Sequence, residues 1–166
     1  MLDGEILNNL DSALADLVAM RAREGEAIGV VLHARLVEIA NSVSAAEASP
    51  ARTPDAIRLR LTEQIAALLD AVPALDPDRL HQEAVLLANK ADIREEIDRL
   101  EAHIAASTDL LTKGGPVGRR LDFLAQEFSR EINTLCAKSN DRALTAIGLD
   151  LKAIIEQLRE QIQNLE

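Results

Sequence analysis

Residues 118–141, GRRLDFLAQEFSREINTLCAKSND, decide the fold. Val117, Leu121, Leu124, Phe128 and Leu135 recur on one face at helical spacing, while Arg119, Asp122, Gln126, Arg130 and Asn133 keep the same period on another. An apolar stripe of that width seats a helix on a core. The polar stripe beside it is denser in charges and amides than solubility alone requires, which marks the segment as a carrier of function as well as of structure.

The same period runs outward in both directions. Toward the C-terminus, Leu144, Ile147, Leu151, Ile154, Leu158, Ile162 and Leu165 form a nearly heptad seam, and Ser139, Asn140 and Asp141 offer cap residues for the helix that carries it. Gly114–Gly115–Pro116 ends the preceding helix. That helix reads as one long element from Pro77, with Asp76 as N-cap and a seam of Ile93, Ile97, Leu100, Ile104 and Leu111. Leu61, Ile65, Leu68 and Val72 mark a shorter helix closed by Pro73 and Pro77, and residues 44–54, SAAEASPARTP, read as a linker because two prolines and small polar residues oppose helix continuation. The first helix begins near Leu2 and runs into the forties through Leu7, Leu10, Leu14, Leu17, Ile28, Leu32, Leu36 and Ile39, with Gly25 and Gly29 as sites of a possible kink. The expectation is an all-α fold of about five helices, built as long antiparallel hairpins or a bundle in a single domain over residues 1–166. Both later seams are long and narrow, so one is expected to stay partly uncovered and to drive self-association into at least a dimer.

Composition agrees. Hydrophobic residues make up 48% of the chain, yet only Phe123 and Phe128 are aromatic, so the core must be aliphatic. A net charge of −10 argues against wrapping nucleic acid through a continuous basic surface, and no DNA partner is expected. Only residues 111–142 are net positive, with six bases (Lys113, Arg119, Arg120, Arg130, Lys138 and Arg142) against four acids. Any RNA contact is therefore local, and the scarcity of aromatics removes the usual stacking platform. Cys136 is the single cysteine, which excludes an internal disulfide and a thiolate zinc cluster. Its neighbours Ile132 and Leu135 make it a small hydrophobe. No basic leader and no apolar run of membrane length is evident, so a cytoplasmic protein without a membrane partner is expected.

Two sets of residues offer chemistry. Asp92, Glu96, Arg99 and His103 stand at i, i+4, i+7 and i+11 beside an apolar seam, and Glu127 and Glu131 are i, i+4 carboxylates flanked by Gln126 and Arg130. Asp92, Glu96, His103, Glu127 and Glu131 are candidate ligands for a divalent metal, magnesium or manganese. His103, Glu96, Glu127 and Glu131 are the candidate catalytic groups, His103 as a base for an RNA 2′-hydroxyl. Arg99, Arg119, Arg120, Gln126 and Arg130 are candidate phosphate contacts. The alternative is an ion-paired lattice that locks helix packing in a non-catalytic oligomerisation or partner-binding module. Because the Gly-Gly-Pro turn favours antiparallel neighbours, His103, Glu96 and Asp92 are expected to face Glu127, Arg130 and Glu131.

Residues 118–141, with LKAIIEQLREQIQNLE at 151–166, DRLHQEAVLLANKADIREEIDRLEAHI at 78–104 and, more weakly, LADLVAMRAREGEAI at 14–28, resemble the C-terminal part of the YicC/YloC-type endoribonuclease family. The resemblance implies a cytoplasmic, metal-assisted endoribonuclease assembled as a ring-shaped hexamer that grips RNA between subunits. Glu83, Asp122, Asn133 and Ser139 join the residues above in matching the family's polar positions. Family members carry an α+β domain ahead of this region, and the resemblance implies that residues 1–166 lack it.

Overall fold

The computed structural model describes residues 2–71, 77–139 and 141–165. Among them the chain forms six α-helices and no strand: α1 (Leu2–Glu47), α2 (Pro54–Ala71), α3 (Pro77–Lys90), α4 (Arg94–Lys113), α5 (Gly118–Lys138) and α6 (Arg142–Gln163), with one 3-10 turn at Pro50–Arg52. The all-α reading holds with one more helix than expected. What reads in sequence as one helix from Pro77 to Leu111 is two, because the Asp92 carboxylate accepts the Arg94 N–H at 2.9 Å and so starts α4 afresh. The linker is also shorter than 44–54. Residues 44–47 continue α1, where Ala46 is completely buried, and Thr53 opens α2 by accepting the Ala56 N–H on its side chain. Val72, Pro73, Asp76 and Asn140, which carried readings of helix ends and caps, lie outside the described residues.

The C-terminal half of α1 closes a four-helix bundle with α4, α5 and α6, each helix packing on two neighbours in the order α1, α4, α5, α6 and back to α1. Its core is aliphatic apart from Phe128: Leu32, Leu36, Ile39 and Val43 from α1 meet Ile97 and Leu100 from α4, Leu121, Phe128, Ile132 and Leu135 from α5, and Leu151, Ile155 and Ile162 from α6. The α4–α5 turn depends on Gly114 and Gly115, whose φ values of 66° and 83° are strained for any residue with a Cβ. The α5–α6 turn is set by Asp141, the N-cap of α6, whose carboxylate accepts the N–H groups of Ala143 at 2.8 Å and Leu144 at 3.1 Å. Arg60 of α2 reaches the same carboxylate at 2.9 Å and ties the α2–α3 pair to the bundle.

Two expectations are revised here. Most of both later seams lies inside the bundle, with Ile93, Ile97, Leu100, Leu144, Leu151, Leu158 and Ile162 buried, while Ile104, Leu111, Ile147, Ile154 and Leu165 stay half-buried at its edge. The longest run of exposed apolar residues lies on α1. That helix has 46 residues, about 69 Å at 1.5 Å per residue, whereas α4, α5 and α6 have 20, 21 and 22. Its first half overshoots the bundle, leaving Ile6, Leu7, Leu10, Leu14, Leu17, Val18 and Met20 between 46% and 67% exposed. The second revision concerns membranes. Within Gly4–Glu47 an 18-residue stretch reaches a mean hydropathy of 1.2, enough by length and composition to cross a bilayer. Leu32, Leu36, Ile39 and Val43 of this helix lie in the bundle core, but only 22% of the apolar stretch is buried, and Val30, Val31 and Val37 stay exposed.

Close packing predicts opposite effects for two glycine substitutions. A Cβ at Gly148 of α6 would sit 2.5 Å from Cys136 Sγ and 3.4 Å from Leu135 Cδ2, whereas one at Gly29 of α1 would meet nothing within 4 Å. Gly29→Ala should therefore raise thermal stability by roughly 1 kcal/mol through helix propensity. Gly148→Ala should lower it despite the same propensity gain, and Cys136→Ala in the same chain should restore it; thermal denaturation followed by circular dichroism measures all three.

The Asp141 cap should show a pH signature. The Arg60 hydrogen bond, followed by those from the Leu144 and Ala143 backbone, holds its carboxyl below the ordinary aspartate range. A depressed carboxyl stabilises the fold fully above its unfolded-state value, near pH 4, and loses that contribution as pH falls through the folded-state value. Asp141→Ala should thus lower the melting temperature at pH 7, with the gap from the unsubstituted chain closing as the pH drops below about 4.

Candidate active site

The short glycine turn sets α4 and α5 antiparallel, so residues equally far from it on either side lie at one depth. His103 and Glu127 are such a pair, and Glu131 follows one turn along α5. The ligating atoms of His103, Glu127 and Glu131 all lie within 4.8 Å of one another. Glu131 is buried, while His103 and Glu127 are half-buried at the groove's edge. The imidazole packs edge-on against Phe128, with ring centroids 5.7 Å apart and planes 79° apart. Its Nε2 is buried and has no hydrogen-bond partner, a costly state for a ring nitrogen.

Two guanidinium groups border the carboxylates. Arg130 donates to Glu127 at 2.6 Å and Arg99 donates to Glu131 at 3.3 Å. The hydrogen bond to Glu131, then the charge of Glu95, pushes the Arg99 pKa up from its already high value. The site therefore combines two carboxylates and an imidazole facing inward with two cations at the rim. Such a set binds a divalent cation through its oxygen and nitrogen donors, or a phosphate through its arginines.

Not every candidate converges there. Glu96 lies two turns back along α4 from His103, where its carboxylate, 4% exposed, pairs with Lys138 at 2.8 Å. Lys138 also donates to the Asp92 carbonyl at 3.1 Å. Asp92 and Glu96 thus secure the start of α4 and the end of α5, and neither faces Glu127 or Arg130. Gln126 is exposed and donates to Asp122 at 2.9 Å, away from His103. Arg119 and Arg120 are exposed on the first turn of α5 and make no ion pair among the described residues. Sequence reasoning missed Phe128 as the wall behind His103, reading it only as core, and missed the pairing of Lys138 with Glu96. Those two residues are 42 apart in the chain, and no helical period connects them.

Comparison with known proteins gives this geometry a family. Residues 46–166 match the family described as endoribonuclease YicC-like, C-terminal. The probable endoribonuclease YicC of Haemophilus influenzae is 44% identical over 162 residues, covering 98% of this chain and 55% of that protein. The probable endoribonuclease YicC of Clostridioides difficile is 35% identical over 157 residues, covering 95% of this chain and 54% of that protein. The chain therefore spans about half the length of these relatives. On a family match that takes in α2 to α6 and both walls of the α4–α5 groove, the chain belongs to the YicC-like endoribonuclease family, in its C-terminal region.

Proposed function

We propose that the α4–α5 groove contributes the reacting groups of an endoribonuclease that cleaves RNA phosphodiester bonds. The convergence of His103, Glu127 and Glu131 within 4.8 Å, around an imidazole nitrogen without a hydrogen-bond partner among the described residues, carries this reading. The names of the relatives and the net positive charge of residues 111–142 support RNA as the substrate. His103, Glu127 and Glu131 would hold a divalent cation, manganese or magnesium, and the orphaned Nε2 fits that donor set. Once bound, the cation would supply Lewis-acid stabilisation of charge on the scissile phosphate. Arg99 and Arg130 pair with the two carboxylates and offer the remaining positive charge to the phosphate oxygens. Phe128 excludes water from one side of the imidazole and fixes its orientation. A cytoplasmic setting belongs to the same reading.

A second, non-catalytic reading rests on a different observation, the exposed half of α1. Leu7, Leu10, Leu14 and Leu17 alternate in steps of three and four, the spacing of a coiled-coil seam. In this reading the helices form an oligomerisation module, which is compatible with catalysis in a larger assembly such as a hexamer.

The first test is metal binding to this chain. Manganese titrated into the protein should lose its free-ion paramagnetic resonance signal, and His103→Ala or Glu131→Gln should weaken that binding at least about tenfold. In a protein of the relatives' full length, His103→Ala and Glu127→Gln should abolish cleavage of labelled single-stranded RNA with helical content and assembly unchanged. Cleavage at the original rate would remove these residues from the reaction, and joint loss of folding and cleavage would favour the lattice reading.

Glu96 should behave differently. Lys138→Met leaves its carboxylate buried without a counter-charge and should destabilise the fold by about 3 kcal/mol or more. Adding Glu96→Leu should recover most of that loss in urea denaturation, and the double variant should retain manganese binding.

A further inference from the structure

We propose that Phe123 is a base-stacking platform for single-stranded RNA, with Arg119 and Arg120 holding the adjoining phosphates. This rests on the RNA reading above and adds to it a binding mode, a strandedness and a residue outside the reacting cluster. The chain has only two six-membered aromatic rings and no Trp or Tyr, so in place of the multi-aromatic platform its composition rules out, it can offer one stacking position. Phe128 is completely buried, but Phe123 is 59% exposed although it stands on the same helix. It lies off the seam of Val117, Leu121 and Phe128, and core packing makes no demand on it. Phe123 forms a ridge between two shallow grooves, one toward α4 with Ala106 and Leu110 and one toward α6 with Arg159 and Ile162. Arg119 borders both.

Charge selects the occupant. On the bundle, Lys113 is taken by Asp109, Arg130 by Glu127, Arg99 by Glu131 and Lys138 by Glu96. Arg119 and Arg120 make no such pair among the described residues and stand within one turn of the exposed ring. They occupy the first turn of α5, where cations are electrostatically disfavoured until an anion is present. The nearby acids are engaged: Asp109 with Lys113, and Asp122 with Gln126 at 2.9 Å and with Arg159 at 3.9 Å. An exposed aromatic flanked by unpaired arginines suits an unpaired nucleobase and its phosphates, because the ring accepts any base face and guanidinium binds phosphate oxygens. A duplex buries its base faces in its own stack and offers none to the ring.

Position joins the platform to the reacting cluster. Phe123 precedes Glu127 by four residues, about 6 Å, and Ala106 follows His103 by three, about 4.5 Å, on α4. A strand with one base on Phe123 would thus pass a neighbouring phosphate over the α4–α5 groove.

The absence of tryptophan provides a direct test. Phe123→Trp makes position 123 the only indole, and its fluorescence should be quenched by an unlabelled single-stranded RNA dodecamer in EDTA and much less by the same sequence as a duplex. Anisotropy of a dye-labelled dodecamer should show Phe123→Leu weakening binding about 5- to 150-fold, with Phe123→Trp retaining it. Arg119→Gln and Arg120→Gln should each reduce the salt slope of binding by roughly 0.7. Quenching absent while anisotropy reports bound RNA, or no RNA binding at all, would overturn the platform. So would unchanged RNA affinity in Phe123→Leu together with a smaller sedimenting species, which would make this surface a protein interface. EDTA keeps the outcome separate from the cleavage reading: intact quenching with no cleavage by the full-length protein would sink the reaction and leave the platform standing.

Discussion

Burial of two carboxylates at one helix–helix interface is the constraint on which the α4–α5 pair depends. Glu96 and Glu131 are both nearly inaccessible, and a buried carboxylate without a counter-charge costs several kcal/mol. Each is answered from the opposite helix, Glu96 of α4 by Lys138 of α5 and Glu131 of α5 by Arg99 of α4. These crossed pairs fix both register and direction. A shift of one turn would leave a buried charge facing an aliphatic side chain, a penalty far larger than any gain from repacking leucines. The glycine turn makes the antiparallel arrangement accessible, and the ion pairs choose the register within it.

That register brings His103 to Glu127 and Glu131. Unlike the two crossed pairs, this cluster leaves one polar atom unsatisfied, the buried Nε2. Native structures pair most buried polar groups, and the unpaired ring nitrogen among carboxylates is the observation on which the proposed cation site rests. Phe128 packs edge-on against the same imidazole and holds one side of it apolar.

Much of this was legible in the sequence because helices write their contacts at fixed intervals. The 3.6-residue period identified the faces of α4, α5 and α6, the glycine pair identified the turn, and equal spacing from that turn placed His103 opposite Glu127. What the sequence hid was non-local or depended on competition. The break at Asp92 comes from one side chain displacing a backbone bond, which leaves the apolar period on both sides intact. The partner of Glu96, Lys138, is 42 residues away, beyond the reach of any helical period. The large exposed apolar run on α1 was not legible in advance for a geometric reason: α4, α5 and α6 are matched in length, whereas α1 is twice as long as the bundle it enters.

Along the α4–α5 groove, burial and pairing relax in one direction. At the α4 start, Lys138 neutralises Glu96 completely and also binds the Asp92 carbonyl, so this end is closed. Midway, Arg99 and Arg130 neutralise their carboxylates from the exposed rim, and the imidazole between them is incompletely satisfied. Near the glycine turn, Arg119 and Arg120 pair with no carboxylate among the described residues, and Phe123 is 59% exposed. Stability and function make opposite demands on polar groups, full satisfaction in one case and spare valence in the other. Placing them at opposite ends of one helix pair lets the closed end hold the register that the open end needs, without the site's unsatisfied groups having to support the fold.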